Sequence, residues 1–369
     1  MYFDRSMIRP AAFVAATAIG AGIFALPYVA NEAGWLTALV YLVGLAAAVH
    51  FAHRLYLRTL QAGGEKKRLL GLTALYFGRW GRLAAVTIIL GGLLLTLVAY
   101  LILAQRFIAI LTPAYASGGA ILFWLAASFP IFVQLRRLVI AELIGTLALA
   151  AIIIGIFVLG VGQLETLPPL FDAGQAFLPF GAILFALAAW PAVEPVFEYQ
   201  RARGLSLKET SFAMAAGLGF AAVLYLLFTV GIFGATAFIT PDTLTGLWGF
   251  PPAGLAALII LGLFAFWTSY VPIGLEIRNS LEHDLDWSPA ASDLTVFFLP
   301  PLLILAGLNN FFAVISLVGG VFLAGEYLFI LLVARRALPL ARGERFGVWL
   351  VTAVFTLAAA YEIYYFLIS

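Results

Sequence analysis

The chain has 369 residues, 64% of them hydrophobic and 10% charged, with a formal net charge of +2. Soluble domains carry about 25% charged residues, so this composition excludes a soluble globular protein and describes one that crosses a membrane many times. It has no cysteine, which rules out disulfides and thiolate metal sites. It also has no Walker A loop, zinc motif or nucleophile elbow, so neither a bound cofactor nor a nucleic-acid partner is expected.

Eleven apolar stretches are predicted as spans, at 8–31, 34–60, 82–111, 118–134, 139–162, 175–200, 210–236, 251–280, 290–307, 311–334 and 346–368. A bilayer needs about 20 apolar residues per helix, and the joints between these stretches are short, polar or rich in Gly and Pro. Span 1 lacks the short apolar region and cleavage site of a signal peptide and is read as a true span. It carries Gly20-Ala21-Gly22 near mid-depth and Pro27 five residues later. Hydrocarbon has no water to satisfy unpaired backbone groups, so irregular backbone there must be buried in protein or line a cavity. Two readings are open: an interrupted helix at a binding site, or a small-residue contact between helices.

Span 2 ends with His50, His53 and Arg54, and its histidines are expected to meet headgroups or solvent rather than a metal. Span 3 contains Tyr100. Span 5 starts near Glu142 and contains no lysine. Within span 6, the stretch Phe180 to Pro195 carries Pro191 and Pro195, which interrupt it near mid-depth, with Glu194 following the break; proline removes a donor and clashes with the preceding turn. Span 8 holds the adjacent hydroxyls Thr268 and Ser269 and, in its later half, Glu276. Span 10 holds Glu326, and span 11 holds Glu362.

The basic residues order these spans. Of the twenty Lys and Arg, all but Arg106 fall before span 1 or in joints on the same side, between spans 2 and 3, 4 and 5, 6 and 7, 8 and 9, and 10 and 11. By the positive-inside rule the N-terminus is cytoplasmic and Ser369 is outside. Spans 1 and 6, five apart, are interrupted at similar depth. Because five is odd, two halves that match in this way are inverted. The pattern predicts one transmembrane domain over 1–369, an all-α membrane protein with inverted repeats at about 8–162 and 175–334 and an added helix at 346–368. Paired interruptions in corresponding spans are the best sequence pointer to a transporter's central site.

Ile19-Gly20-Ala21-Gly22-Ile23-Phe24-Ala25-Leu26-Pro27 resembles the first-helix signature of the amino acid/auxin permease family, and is similar to that of the bacterial aromatic amino acid permeases. Phe185 to Pro195 resembles their sixth helix, although the family usually shows a glycine near Ala189. Val98-Ala99-Tyr100-Leu101-Ile102-Leu103 resembles their third, and Trp267-Thr268-Ser269-Tyr270-Val271-Pro272 their eighth. Four motifs in order, over most of the chain, imply the LeuT-type 5+5 inverted repeat of the amino acid–polyamine–organocation superfamily, with discontinuous helices 1 and 6. The eleven-span count is typical of the family as well.

The half-helix after Gly22 offers free N–H groups and a positive dipole end, suited to a carboxylate; the half-helix before Gly20 offers free carbonyls, suited to an ammonium or a cation. The resemblance implies that the N–H groups of Ala21 and Gly22, with the Tyr100 hydroxyl, hold an α-carboxylate. It likewise implies that the carbonyls of Ala18, Phe185 and Ala186 hold an α-ammonium. Tyr100 also reads as an ordinary helix-contact tyrosine. The side chain should meet Ala188, Ala189 and Trp190 on span 6 and the neighbourhood of Leu97 on span 3. These positions are apolar, which favours a neutral, apolar or aromatic amino acid; Trp190 could instead be a plug that restricts the pocket to small substrates.

For coupling, the resemblance implies a Na⁺ site from the carbonyls of Ala16, Ile19 and Ala265 with the Thr268 and Ser269 hydroxyls; the bland alternative is that such hydroxyls bond back to their own helix. Protons are the rival ion. Intramembrane carboxylates default to functional hypotheses. Glu194 and Glu326 lack a basic neighbour in sequence and are the proton candidates, whereas Glu142, Glu198 and Glu276 are expected to pair with arginines (Glu198 with Arg201, Glu276 with Arg278 or Arg137). Glu362 is expected to stand apart from the chemistry.

The leading expectation is a monomeric secondary carrier in a prokaryotic plasma membrane, surrounded by lipid. It would import neutral amino acids by alternating access with Na⁺ or H⁺. The alternatives are an uncoupled facilitator or exchanger, or a channel for a small amine or amino acid. An intramembrane enzyme is disfavoured, since no nucleophile–base constellation is present.

Overall fold

The computed structural model describes residues 5–63, 68–133, 138–236, 238–247 and 251–368. Among them it has fifteen α-helices and no strand: α1 Arg5–Ala18, α2 Leu26–Glu32, α3 Trp35–Gly63, α4 Leu69–Ala85, α5 Gly91–Leu111, α6 Ala116–Val133, α7 Leu138–Val161, α8 Pro179–Leu187, α9 Val193–Arg203, α10 Leu207–Ala235, α11 Pro252–Asn279, α12 Pro289–Leu305, α13 Phe311–Leu317, α14 Ala324–Ala337 and α15 Arg342–Ile368. Eight helical runs are long and apolar enough to cross a membrane. A further pair, Met7–Ala18 and Ala21–Glu32, is long and apolar enough when taken as one, with a bend of 49° between its halves. Two apolar helices, Ser117–Phe132 and Pro289–Leu305, are shorter; at 1.5 Å per residue each is roughly 25 Å long.

Local chemistry sets the ends. Ser206 and Glu209 form a reciprocal capping box at the start of α10, which satisfies two backbone donors that have no partner within the helix. Ser288 caps α12 with Pro289 in its first turn, and Asn310 caps α13. Gly34, at φ +92, turns the chain between α2 and α3. There the connection before α8 folds back, with Trp35 N donating to Pro169 O at 3.1 Å and Asp172 N to Ala33 O at 3.1 Å.

Two features depart from the predicted spans. The joint between spans 2 and 3 is not a loop: α4 occupies it and runs through a π-helical turn, Val86–Leu90, into α5. It kinks at Gly78, φ +65, and its first turns bury Leu69, Leu70, Leu72 and Thr73. That buried stripe is what makes it a helix of the protein body rather than a linker. Span 10 is likewise not uniform, because a π-helical stretch, Val318–Leu323, separates α13 from α14.

Small residues set the helix spacing. Gly160 of α7 lies against Gly231 and Gly234 of α10, and Gly217 of α10 against Ala11 of α1. Backbones approach there as bulky side chains would forbid, which is how helices associate where lipid is as apolar as leucine. α11 packs against α5, α6 and α7, and α8 against α3 and the π-helical stretch of span 10.

Candidate functional site

The interruption of span 1 is visible in the backbone. α1 stops at Ala18, Ile19 N still donates to Ala15 O at 2.8 Å, and Gly20 leaves the helical region at φ −136, ψ −147. A 3-10 turn, Ala21–Ala25, leads into α2. The φ of Gly20 is negative, so no left-handed turn calls for glycine here; space does. A Cβ on Gly20 would lie 2.7 Å from the Tyr100 hydroxyl, and a Cβ on Gly22 would lie 2.6 Å from Cα of Ala186. The glycines make close helix contacts, and those contacts are where the helix is interrupted.

Span 6 breaks opposite. α8 ends at Leu187, Ala188 turns to φ −67, ψ 112, and Ala189 to φ −140, ψ 19. Trp190–Ala192 is a 3-10 turn leading into α9. Pro191 and Pro195 sit in first turns, where a missing N–H costs nothing.

Between the breaks lies a cavity of about 50 Å³, lined by Thr17, Ala18, Gly20, Ala21, Gly22, Leu93, Thr96, Tyr100, Phe185, Ala188, Trp190, Pro191, Ile273 and Leu323. It carries no charged side chain, and its size is far below the ~300–1,000 Å³ of a ligand pocket. Ala186 and Ala189 are fully buried behind this lining. On span 3 the sequence pointed to Leu97, but the lining face is Leu93, Thr96 and Tyr100; helical spacing of three to four residues puts those on one side and Leu97 off it.

Tyr225 was not singled out by sequence reasoning. It is buried in α10, and its hydroxyl lies 2.7 Å from Ala18 O and 2.6 Å from Ala186 O. These are two of the carbonyls assigned to the ammonium. The signal available was a lone tyrosine in an apolar helix, whose hydroxyl must find a partner when buried.

At one end of the break, Phe24 of the 3-10 turn packs edge-on against Phe107, Phe228 and Phe266 at 4.9, 5.6 and 5.7 Å between ring centroids. Above it, the Thr243 hydroxyl donates to Phe24 O. The buried Asp242 carboxylate accepts from Arg106 at 2.8 Å and from Thr240 and Thr245. Arg106, the single basic residue set apart by the charge pattern, thus holds a loop on the interrupted segment. Asp242→Asn is expected to loosen this loop and raise the rate at which a reporter Tyr28→Cys is labelled from outside by roughly three- to tenfold, matching the about 1 kcal/mol of one hydrogen bond; labelling kinetics on the otherwise cysteine-free chain check it.

At the opposite end, the Tyr56 hydroxyl donates to Glu194 at 2.6 Å, and Arg68 lies 3.6 Å from Glu194 and 2.6 Å from Glu276. This corrects two expectations. Glu194 has a basic partner after all, 126 positions away in sequence and invisible there. Glu276 pairs with Arg68 rather than with Arg278, which binds Glu282 and Asp293. Arg137 and the side chain of Glu142 lie outside the described residues. Beneath this network opens a cavity of about 1,080 Å³, lined among others by Arg68, Glu194, Phe197, Glu198, Arg201 and Asp284.

Glu326 is fully buried. One oxygen accepts from the Trp190 indole N–H, and the other has no hydrogen-bond partner and faces Gly92. The adjacent Tyr327 bonds His53 Nε2 at 3.1 Å. His53 is itself fully buried, contrary to the expectation of headgroup contact, because it shares a bundle-facing stripe with Val49, Ala52 and Tyr56. Glu362 packs against Gly181 and Gly320. Thr268 donates back to Ala265 O at 3.0 Å. Ser269, Ala16, Ile19 and Ala265 are all buried.

The sequence matches the family model of transmembrane amino acid transporter proteins over residues 4–239. The chain belongs to that family. It is a transporter family, not a family of enzymes. The transporter's fold is similar to the crystal structure of MhsT in complex with L-phenylalanine, with a TM-score of 0.72 and 16% identity, covering 98% of each chain. It is also similar to a manganese transporter of Eremococcus coleocola, crystallised with an aromatic bis-isothiourea substituted compound. That match has a TM-score of 0.68 and 12% identity, covering 97% of this chain and 87% of the other. The transporter therefore has the LeuT-type fold of an integral membrane protein. No curated protein matches the sequence.

Proposed function

We propose that the transporter is a secondary carrier that imports neutral amino acids, those with apolar or aromatic side chains above all, by alternating access. The observation that carries this reading is the meeting of the two interrupted helices at Gly22 and Ala186 around a cavity without a charged side chain. Free N–H groups of the 3-10 turn at Ala21 and Gly22, beside Tyr100, suit an α-carboxylate. The carbonyl ends at Ala18, Phe185 and Ala186 suit an α-ammonium. Phe185, Trp190, Ile273 and Leu323 supply an apolar wall for the side chain. The cavity must open to admit a substrate, with the Phe24 cluster as the outer barrier and the Arg68–Glu194–Glu276 network as the inner one. A fold shared with a protein crystallised with L-phenylalanine supports this reading. A metal-ion cargo is disfavoured, since among the described residues no three His, Asp or Glu come together to hold one.

In this reading the eight long runs, the bent pair and the two shorter apolar helices make eleven crossings. They form inverted repeats at about 8–162 and 175–334 plus a final helix, with the N-terminus cytoplasmic, and the carrier works as a monomer in a prokaryotic plasma membrane. Na⁺ would be held by the carbonyls of Ala16, Ile19 and Ala265 with Thr268 and Ser269. A second reading, proton coupling, is favoured by Glu326, whose buried carboxyl has one oxygen on Trp190 and one unpartnered. Any protonation of Glu326 would act directly on the break in span 6. Glu194 is better read as part of the inner barrier.

The test is thermal unfolding of the purified protein with each of the twenty amino acids, in Na⁺ or in K⁺. A ligand at about 100 times its Kd stabilises by about 2.7 kcal/mol, a rise of several degrees. Neutral apolar or aromatic amino acids are expected to give it, and a panel without any shift contradicts the reading. With sodium coupling the shift requires Na⁺ and is lost in Thr268→Ala/Ser269→Ala. With proton coupling it is sodium-independent, and Glu326→Gln makes uptake insensitive to a pH gradient.

A further inference from the structure

Two helix ends of the same polarity point at one place. α1 stops at Ala18 and α8 at Leu187. The last carbonyls of a helix lack the amide four residues on and carry the negative end of its dipole. Two such ends brought together repel and need a donor between them. The Tyr225 hydroxyl is that donor, at 2.7 Å from Ala18 O and 2.6 Å from Ala186 O.

The geometry is informative in two respects. A hydroxyl has one proton, so it donates to one carbonyl at a time and leaves the pair short of donors. Each carbonyl oxygen has two lone pairs, so each keeps one for another partner. Tyr225 is fully buried and, like Ala186, is not among the residues lining the central cavity, whereas Ala18 and Phe185, the residue just before Ala186, are. The hydroxyl therefore reaches the two oxygens from α10, behind the cavity wall, and fixes both with a donor deficit.

We propose that Tyr225 is a positioning residue for substrate recognition: it pins the Ala18 and Ala186 carbonyls as a pair, and that pair reads the α-ammonium of the substrate. This rests on the amino acid reading above and deepens it. The site then selects a carboxylate that also bears a protonated amine over the same carboxylate without one. The ammonium supplies the donors that a single hydroxyl cannot. Without the hydroxyl, the two like-polarity ends move apart and the pair loses its fixed spacing.

The experiment compares an amino acid with its des-amino analogue, for example L-phenylalanine with 3-phenylpropionate, by thermal-shift titration of the full-length protein. Wild type is expected to prefer the amino acid. In Tyr225→Phe the ratio of the two apparent Kd values is expected to fall about tenfold or more, equivalent to about 1.4 kcal/mol, mostly through weaker amino acid binding. A purely structural tyrosine would lower the melting temperature and leave the ratio unchanged, which overturns the proposal. If Tyr225→Phe does not fold, a ring-fluorinated tyrosine placed at 225 by codon reassignment keeps the size and strengthens the donor. The ratio should then shift from wild type, and an unchanged ratio again overturns the proposal. Should wild type respond to no amino acid, the functional reading fails first, an outcome distinct from an intact response with an insensitive ratio.

Discussion

Gly22→Val is expected to reduce uptake to background while the protein still reaches the membrane in near-normal amount. A Cβ at this position would stand 2.6 Å from Cα and 2.9 Å from N of Ala186. Those are backbone atoms, and no rotamer change can move them aside. Overpacking of this kind costs about 1–3 kcal/mol. The cost falls on the state in which the two interrupted helices touch, and so on the equilibrium between closed and open arrangements, by about 5–150-fold. Gly22→Ala should do nearly as much harm, because the clash begins at Cβ. Fluorescence of a tagged protein reports expression, and labelled amino acid reports uptake. Normal uptake by Gly22→Ala would mean that the two breaks do not need to touch.

Arg68→Ala is the second large effect. One guanidinium serves Glu194 at 3.6 Å and Glu276 at 2.6 Å, and its loss leaves two carboxylates facing each other. Leaving a charged group without its partner costs about 1–3 kcal/mol or more, and breaking a fully buried pair about 3–5 kcal/mol. Arg68 is about one-third exposed, with 36% of its side chain accessible, so water screens part of the loss and the lower range applies. Because the three residues bridge α9, the start of α4 and α11, the penalty falls on the inwardly closed state. A reporter Thr17→Cys in the central cavity should then be labelled from the cytoplasmic side about tenfold faster. Adding Glu276→Gln to Arg68→Ala removes one of the opposed charges and should restore part of the closure. Such coupling between contacting residues is what a double-mutant cycle measures. Unchanged labelling in Arg68→Ala would remove this network from the inner barrier.

What could be read in the sequence was local. The break in span 1 follows from Gly20, Gly22 and Pro27, and that in span 6 from Pro191 and Pro195, because glycine and proline act on their own turn. The isolation of Arg106 was visible as charge, and the structure supplies its partner, Asp242, 136 positions on. What could not be read depends on distant partners or on hydrogen-bond register. The Arg68–Glu276 pair spans 208 positions, and Tyr225 reaches Ala18 across 207. The π-helical stretches Val86–Leu90 and Val318–Leu323 keep an apolar pattern indistinguishable from an ordinary helix. α4 was hidden because Gly71, Gly78, Gly81 and three arginines from Arg68 to Arg82 give it the composition of a loop, while its helix is stabilised by the burial of Leu69, Leu70 and Leu72. His53 was misplaced for the same reason: its position near Arg54 suggests the membrane surface, but its face of α3 turns toward Tyr327.

The most direct measurement of the central claim is uptake of labelled neutral amino acids into liposomes containing only this protein, with an imposed Na⁺ or proton gradient. The account predicts accumulation of apolar or aromatic amino acids above the external concentration. It further predicts that accumulation collapses when the driving gradient is dissipated and is absent in Gly22→Val. Equilibration without accumulation under both gradients, or equal uptake by Gly22→Val, would contradict it.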